Sequence, residues 1–551
     1  MMRRNGHPFD FWNSTRLVVF LSILLFMIFP FSSLIINSFH TPGKTGLSLD
    51  NFKDFFTLPY YYRTLFNSLT VACITMLTAL AIGLPIAYLM TRYNVMGKNI
   101  LHILIIISLM SPPFIGAYSW ILLFGRAGFL TKALAKIGII FPTIYGKGGI
   151  IVVFTLMMYP YIYLYVSGAL NNIDSSLEEA AENLGASKWH RIRTVTLPVV
   201  LPSIAGGAII VFMTSLADFG TPMLIGEGYK VLPVMIYEEY MSEMGGNANL
   251  ASALSIIIVF FSTSVLLIQK LLVANRNYIM TSSRPPKVIN THGWKRFGIS
   301  LPVYLVCMFS ILPQLTVVVT SFINTRGPLF VKGFGLGSYK NILYRLSKPI
   351  TNTYLYSLCS IILIVIFGIL ISYLIVRKKG STGSLLDILV MFPYVIPGSV
   401  LGISLLVAFN KPPLLLTGTA IIMIISFIIR KIPFTVRSSS AFLQQMDPCV
   451  EEASISLGVS PRKTFFAVTA RLMAPGIISG AILSWISCIN ELSSSIMLYT
   501  GKTATIAVSI YTEVVRNSFG TAAALASILT VTTTLSLMIF MKVSKGKVSV
   551  V

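Results

Sequence analysis

Four ionisable residues lie inside long apolar stretches of this sequence: Asp218, Glu491, Arg430 and Lys431. A charged side chain at the centre of a bilayer costs about 2.5–3.5 kcal/mol even on lenient insertion scales, so each of these residues needs a partner or a function. Asp218 and Glu491 could attract a cation along a central pathway. Equally, they could hold helices together by pairing with Arg430. On the sequence alone both hypotheses remain open.

The composition places these charges in a membrane protein. Of the 551 residues, 55% are hydrophobic and only 11% are charged, whereas a soluble domain carries about 25% charged residues. The net charge of +24 is typical of basic cytoplasmic loops beside anionic lipid, so we expect lipid contact and no nucleic-acid partner. The five cysteines and five histidines are scattered, which predicts neither a disulfide framework nor a metal site, and no cofactor is expected.

The apolar segments predict an all-α polytopic membrane protein with about twelve transmembrane helices. Each segment has the roughly 20 apolar residues that are needed to cross about 30 Å of hydrocarbon. The predicted spans are 17–39, 66–90, 101–124, 148–170, 203–226, 249–269, 298–323, 353–376, 385–408, 416–436, 473–499 and 521–541. The third span of each half contains prolines, for which we expect kinks. The distribution of basic residues predicts that both termini are cytoplasmic.

The chain repeats itself in two halves. Residues 171–187 read NNIDSSLEEAAENLGAS and residues 444–460 read QQMDPCVEEASISLGVS, and upstream AYLMTR at 87–92 corresponds to SYLIVR at 372–377. Because each half has six predicted spans, the two copies point the same way across the membrane, as two parallel six-helix repeats. We therefore predict a first repeat at 1–275, a cytoplasmic linker at 276–297 and a second repeat at 298–551.

The repeated loops, 171–202 and 444–475, each predict a capped helix rather than a plain connection. Asp174 and Asp447 are suitable helix N-caps. Gly185 and Gly458 stand where each helix should end, in the left-handed conformation that glycine adopts most readily. Such a helix presents a small apolar stripe to another protein.

The first loop, EAAENLGASKWHRIRTVTLP at 179–198, resembles the E-A-A-x3-G-x9-I-x-L-P signature of importer permeases in the ATP-binding cassette superfamily. The second copy keeps the Glu, the first Ala and the Gly, with Ser454 as its third motif residue. In this family the loop is a coupling helix that docks on a dimer of ATPase subunits, so we name 171–202 and 444–475 the coupling segments. The resemblance assigns this role to Glu179, Ala180, Ala181, Gly185, Glu452, Ala453 and Gly458.

Within that superfamily, the chain resembles the fused twelve-span permeases of ferric-iron importers of the bacterial inner membrane. Segments that carry the likeness include DFGTP at 218–222, RKIPFTVR at 430–437 and NELSSSIMLY at 490–499. The resemblance implies ferric iron as substrate and an extracytoplasmic substrate-binding protein as partner. Permeases for thiamine, aminoethylphosphonate or another small solute share the architecture, and a secondary transporter is a more distant alternative.

Sequence motifs for catalysis are missing. The G-K-T triplets at 43–45 and 501–503 lack the glycine that a P-loop has five residues earlier, and neither H-E-x-x-H nor G-x-S-x-G occurs. We therefore expect a translocation subunit without catalytic residues, with ATP hydrolysis on separate subunits.

Overall fold

Most of the described residues fold into helices, many of them long and apolar. The computed structural model describes residues 11–41, 43–44, 46–110, 112–140, 142–242, 246–274, 287–378 and 380–543. Within these ranges, nine helices are long and apolar enough to cross a membrane, or eleven if each of two bent pairs counts as one span. The predicted all-α polytopic class is confirmed. Residues 276–286, which are half of the predicted linker 276–297, and both chain ends lie outside the described residues.

The first half consists of helices of very different length, which include two π-helical stretches. They are Phe11–Ile23, Leu24–Ile28 (π), Phe29–Ser38, Asp50–Thr57, Pro59–Arg92, Lys98–Met110, Pro113–Phe124, Phe129–Lys136, Lys147–Asn171, Ser175–Asn183, Lys188–Arg191, Ile192–Thr196 (π), Leu197–Ala217, Gly220–Ile225, Leu232–Met241 and Ala248–Ala274.

The second half follows much the same order of helices, without a counterpart of Phe129–Lys136 between Gly398–Phe409 and Ala420–Gln445, and adds one antiparallel hairpin. Its strands, Ile323–Arg326 and Leu329–Phe334, pair in a register that sets Arg326 opposite Leu329. The helices are Gly293–Ser321, Gly337–Arg345, Ser347–Val376, Ser381–Val395, Gly398–Phe409, Ala420–Gln445, Cys449–Ser456, Pro461–Thr464, Phe465–Thr469 (π), Ala470–Leu472, Ala474–Ile489, Ser495–Leu498, Ile506–Val515 and Phe519–Val543.

The third span of each half is broken, not kinked as expected. Pro112 has an extended backbone, and a new helix starts at the next residue. In the second half Pro397 holds the equivalent place before the helix Gly398–Phe409. Proline has no N–H to donate to the preceding turn and disfavours helical geometry at the residue before it, so a proline at a helix start ends the helix that precedes it.

The predicted fifth spans, 203–226 and 473–499, also need correction. Their helices end at Ala217 and Ile489, and short helices follow after a break. Asp218 and Glu491 therefore lie at helix breaks and not within continuous helices. The predicted span 416–436 is part of the helix Ala420–Gln445, which carries three basic residues and is not among the nine apolar helices.

The two halves exchange their first helices. Phe11–Ser38 packs against Ala248–Ala274 of its own half and against Gly398–Phe409 of the other half. Symmetrically, Gly293–Ser321 packs against the last helix of the second half and against Pro113–Phe124 of the first half. This helix begins inside the predicted linker, five residues before the predicted start of the second repeat. The exchange gives the two repeats a shared core.

Contacts at the two ends of the first helix, Phe11–Ser38, show which helix ends lie on the same side of the protein as the second coupling segment. The rings of Trp12 and Phe465 are 5.1 Å apart, which places the start of the first helix beside the second coupling segment. At its other end, the side-chain amide of Asn37 donates to Ser252 Oγ at 3.0 Å, near the start of Ala248–Ala274. That last helix of the first half therefore ends on the same side as the second coupling segment.

Candidate functional site

Each coupling segment contains a capped helix, as the sequence predicts. In the first half, Asp174 caps Ser175–Asn183 by accepting a hydrogen bond from Ser176 N at 2.9 Å. In the second half, Asp447 accepts from Cys449 N at 2.9 Å. This backbone hydrogen bond lowers the pKa of Asp447, because it favours the charged carboxylate. The two helices thus start with the same polar contact.

Glycine ends both coupling helices in the left-handed conformation, which confirms the predicted backbone geometry. The φ angles are 83° at Gly185 and 86° at Gly458. The leucines that precede them, Leu184 and Leu457, are 89% and 85% exposed. Large apolar side chains at matching, solvent-facing positions are typical of a surface that another protein covers.

The motif residues themselves lie on the outer surface of these helices. Ala180, Glu452, Ala453 and the two glycines are exposed, whereas Glu179 and Ala181 are half-buried. Small side chains at these positions allow close approach of a partner, and the glutamates add charge near the helix start. The structure brings the seven motif residues to two equivalent surfaces.

Two ion pairs that sequence reasoning missed, each with one buried residue, anchor the coupling helices. Arg92 pairs with Glu178, and Arg377 pairs with Glu451, with 3.0 Å between Arg377 Nε and Glu451 Oε1. Each arginine lies at the end of the second span of its half. The signal was present in the sequence, because Arg92 and Arg377 are the last residues of the repeated AYLMTR and SYLIVR segments.

A cluster of aromatic side chains braces the second coupling segment. The indole of Trp12 stacks on Tyr373, with 4.2 Å between ring centroids, and meets Phe465 edge-on. Phe11 meets Phe466 at 6.2 Å. Trp12 is only 2% exposed. The first helix of one repeat therefore closes over the coupling segment of the other.

The first coupling segment has a different environment. Trp294, which lies near the start of the other exchanged helix, is 88% exposed. Tyr88 corresponds to Tyr373 in the repeat, and it meets Tyr93 at 6.2 Å. Lys188 donates to the Tyr93 hydroxyl at 2.6 Å. The two coupling segments thus share a backbone but differ in their surroundings.

Asp218 and Glu491 lie at equivalent breaks in the two halves. Asp218 follows the helix Leu197–Ala217 and Glu491 follows the helix Ala474–Ile489, which are the helices of the fifth predicted spans. Asp218 Oδ2 accepts from Thr221 N at 2.9 Å, and Glu491 Oε1 accepts from Ser494 N at 3.1 Å. In both cases the carboxylate binds the backbone N–H three residues further on. In each half a carboxylate thus holds the backbone that leads from the break to the following short helix, which the sequence did not predict.

The two carboxylates differ in the basic side chains that pair with them. Glu491 lies 2.9 Å from Arg430 Nη1 and 2.6 Å from Lys431 Nζ, and its side chain is 4% exposed. At the register of the coupling segments, Met157 and Met158 stand in the first half where Arg430 and Lys431 stand in the second.

Asp218 makes no ion pair with any residue that the structure describes. Of the three residues predicted to act together, the structure pairs Glu491 with Arg430, whereas Asp218 lies outside this ion pair.

Another buried acidic residue, Glu513, escaped the sequence prediction, because it lies between the predicted spans. Glu513 has a side chain only 1% exposed, and its Oε1 lies 3.4 Å from Arg516 and 3.9 Å from Arg345. Glu239 holds the same place in the corresponding helix of the first half and accepts a hydrogen bond from Tyr61 at 3.3 Å. Burial raises the pKa of Glu239. No group of three or more candidate metal ligands occurs within the described ranges.

Comparison with known proteins identifies the architecture. The family described as "Binding-protein-dependent transport system inner membrane component" matches residues 79–277 and again 364–550. The ferric transport system permease protein FbpB of Actinobacillus pleuropneumoniae is 28% identical over 530 residues, which are 94% of this chain and 76% of that protein. A putative ferric transport system permease protein, FbpB 1 of Haemophilus influenzae, is 29% identical over 88% of this chain and 78% of its own length.

A shorter relative matches one part of the chain. The molybdenum transport system permease protein ModB of Haemophilus influenzae is 32% identical over 176 residues, which are 31% of this chain and 76% of that protein. The family match covers both coupling segments and both helix breaks, once in each half. The chain therefore belongs to the family of binding-protein-dependent transport system inner membrane components, and it carries the family's permease domain twice.

Proposed function

We propose that this chain is the permease of an ATP-driven importer whose substrate is ferric iron. The carrying observation is the pair of equivalent coupling helices, each capped at its start, ended by a left-handed glycine and tipped by an exposed leucine. Similarity to two ferric permeases over most of the chain supports iron as the substrate. Alternating access to the two sides of the membrane then moves the substrate.

The coupling helices dock on a dimer of ATPase subunits at the cytoplasmic face. The docking residues are Glu179, Ala180, Ala181, Gly185, Glu452, Ala453 and Gly458. Two docking surfaces on one chain suit a partner with two equivalent subunits. ATP hydrolysis belongs to that partner, because the chain has no P-loop of its own.

Docking at the cytoplasmic face also implies how the rest of the chain is oriented across the membrane. Both termini and the linker lie in the cytoplasm, and the opposite face receives substrate from a soluble binding protein. The first helix starts beside the second coupling segment, which supports a cytoplasmic N-terminus. We keep the predicted division into repeats at 1–275 and 298–551 as part of this proposal.

The carboxylates at the helix breaks take different roles. Glu491 locks its break to the helix Ala420–Gln445 through Arg430 and Lys431. Asp218 forms no such ion pair within the described part of the chain and remains the candidate for contact with a cationic substrate. The repeat thus supplies one structural carboxylate and one that is left for the pathway.

Reconstitution tests the proposed function. The chain, its ATPase and its binding protein are placed in proteoliposomes, and ATP-dependent uptake of ferric iron is measured beside molybdate, thiamine and aminoethylphosphonate. We expect uptake of iron only, and no ATP hydrolysis by the purified chain alone. Uptake of another solute in place of iron would refute the substrate, and uptake without ATP would favour a secondary transporter.

A further inference from the structure

We propose that Arg92 and Arg377 are positioning residues that transmit the movement of the coupling helices to the helices of the pathway. The inference rests on the proposed function, because it assumes an ATPase docked on the coupling segments. Its starting observation is the pair of equivalent ion pairs, Arg92 with Glu178 and Arg377 with Glu451. These pairs join a docking helix to the second span of the same half.

Both ion pairs are held in place by partial burial and by further hydrogen bonds. The arginine side chains are 5% and 14% exposed, and their partners Glu178 and Glu451 are 26% and 10% exposed. In the second half, Arg377 also donates from Nη2 to the carbonyl of Met446 at 2.9 Å, and Glu451 accepts from Tyr373 at 3.2 Å. Because the planar guanidinium contacts the coupling helix and the chain just before it, the helix cannot rotate without moving the arginine.

The first half builds the same joint with another neighbour. Glu178 Oε1 accepts a hydrogen bond from Thr196 at 2.9 Å and also contacts Arg92. Thr196 is the last residue of the π-helical turn that leads into Leu197–Ala217, the helix of the fifth span. One carboxylate therefore connects the coupling helix with the second span and with the start of the fifth.

Tight packing carries this connection further into the membrane. A Cβ atom at Gly83 would lie 2.6 Å from Ile162 Cβ, and one at Gly368 would lie 2.9 Å from Thr435 Cγ2. These glycines are equivalent in the repeat, and they let the second and fourth spans of each half approach closely. The fourth span of the second half also carries Arg430, which contacts Glu491. In the second half, a continuous set of contacts thus leads from the coupling helix to the helix break at Glu491.

A third ion pair on the coupling segment offers a matched control. Arg191 lies 2.5 Å from Glu182, but the glutamate side chain is 62% exposed and both residues belong to the segment itself. Exposed ion pairs of this kind contribute little to stability. Loss of this pair leaves the connection to the second span intact.

The experiment compares variants of the full chain, assembled with its ATPase and binding protein in proteoliposomes. Arg92→Gln with Arg377→Gln removes both joints, and Arg191→Gln is the control. Three quantities are measured: ATPase subunit retained on purification, ATP hydrolysed, and iron imported per ATP hydrolysed. For the double variant we expect retention and hydrolysis to persist while iron imported per ATP falls about tenfold. The control should match the wild type.

Further variants separate transmission from folding. Arg92→Lys with Arg377→Lys keeps the charge and should recover part of the import per ATP. Exchange of the partners, Arg92→Glu with Glu178→Arg, should recover it further than Arg92→Glu alone. Two results would overturn the inference: an unchanged import per ATP in the double variant, or loss of the ATPase subunit in proportion to lost import. A wild-type complex that imports nothing would instead refute the proposed function.

Discussion

Lys431 and Glu491 are joined by a contact of 2.6 Å between Nζ and Oε2. The residue before Lys431, Arg430, contacts the other carboxylate oxygen at 2.9 Å. Two consecutive residues of one helix thus share one buried carboxylate at the break of another. Together the three side chains carry one net positive charge. The first repeat lacks this charge, because methionines stand at the positions of Arg430 and Lys431.

Neutralising Glu491 should destabilise the protein. Glu491→Gln leaves Arg430 and Lys431 buried beside a neutral amide, and removing one partner of a buried pair costs about 3–5 kcal/mol. We expect a clearly lower Tm for the purified chain in detergent. Adding Arg430→Met and Lys431→Met, which introduces the residues found at Met157 and Met158, should restore most of the loss. A stable single variant would contradict the lock.

Neutralising Asp218 should impair transport and not stability. In Asp218→Asn the amide oxygen can still accept from Thr221 N, so the helix break keeps its cap. If Asp218 contacts a cationic substrate, kcat/KM for uptake should fall about tenfold or more, since a hydrogen bond to a charged group contributes about 1.5–3 kcal/mol. Tm should stay near that of the wild type. Normal uptake would exclude Asp218 from the pathway.

Valine at the coupling glycines should weaken docking. In Gly185→Val and Gly458→Val the left-handed backbone conformation costs roughly 1–2 kcal/mol at each site, although the Cβ atom meets open space. We expect the double variant to lose co-purifying ATPase subunits while its helix content stays unchanged. Gly168→Val, at an exposed helical position with similar open space, is the matched control. Full retention of the ATPase would show that the helix ends do not matter for docking.

Truncating the two tryptophans should have unequal effects. Trp12→Ala removes a buried ring that packs on Tyr373 and Phe465, and such a change costs about 3–5 kcal/mol. Trp294→Ala removes an exposed ring and should change the free energy of unfolding by no more than about 0.5 kcal/mol. Thermal unfolding of both variants in one detergent makes the comparison. Equal shifts would contradict the asymmetry of the coupling segments.

Local patterns in the sequence predicted the coupling segments well, because caps and turns depend on neighbouring residues. Asp174 and Asp447 accept the expected backbone hydrogen bonds, and Gly185 and Gly458 have the expected φ. Apolar segments of about 20 residues likewise predicted most of the spans. They did not predict the break at Asp218, because hydropathy does not show where a helix ends within an apolar stretch.

Contacts between distant segments could not be predicted from such patterns. Arg92 and Glu178 are far apart in sequence, and each alone looks like a water-facing residue at the end of a span. The same holds for Trp12, whose partners Tyr373 and Phe465 belong to the other repeat. Only the repeated positions of Arg92 and Arg377 hinted that these residues have a shared role.

The exchanged first helices impose an order on biogenesis. Phe11–Ser38 is synthesised long before its partner Gly398–Phe409. At about 5–20 residues per second, the first helix waits some tens of seconds before that partner exists. Leu34 and Phe31, buried in the finished protein, must face lipid during this interval. Neither repeat can complete its packing during synthesis until the other has been inserted.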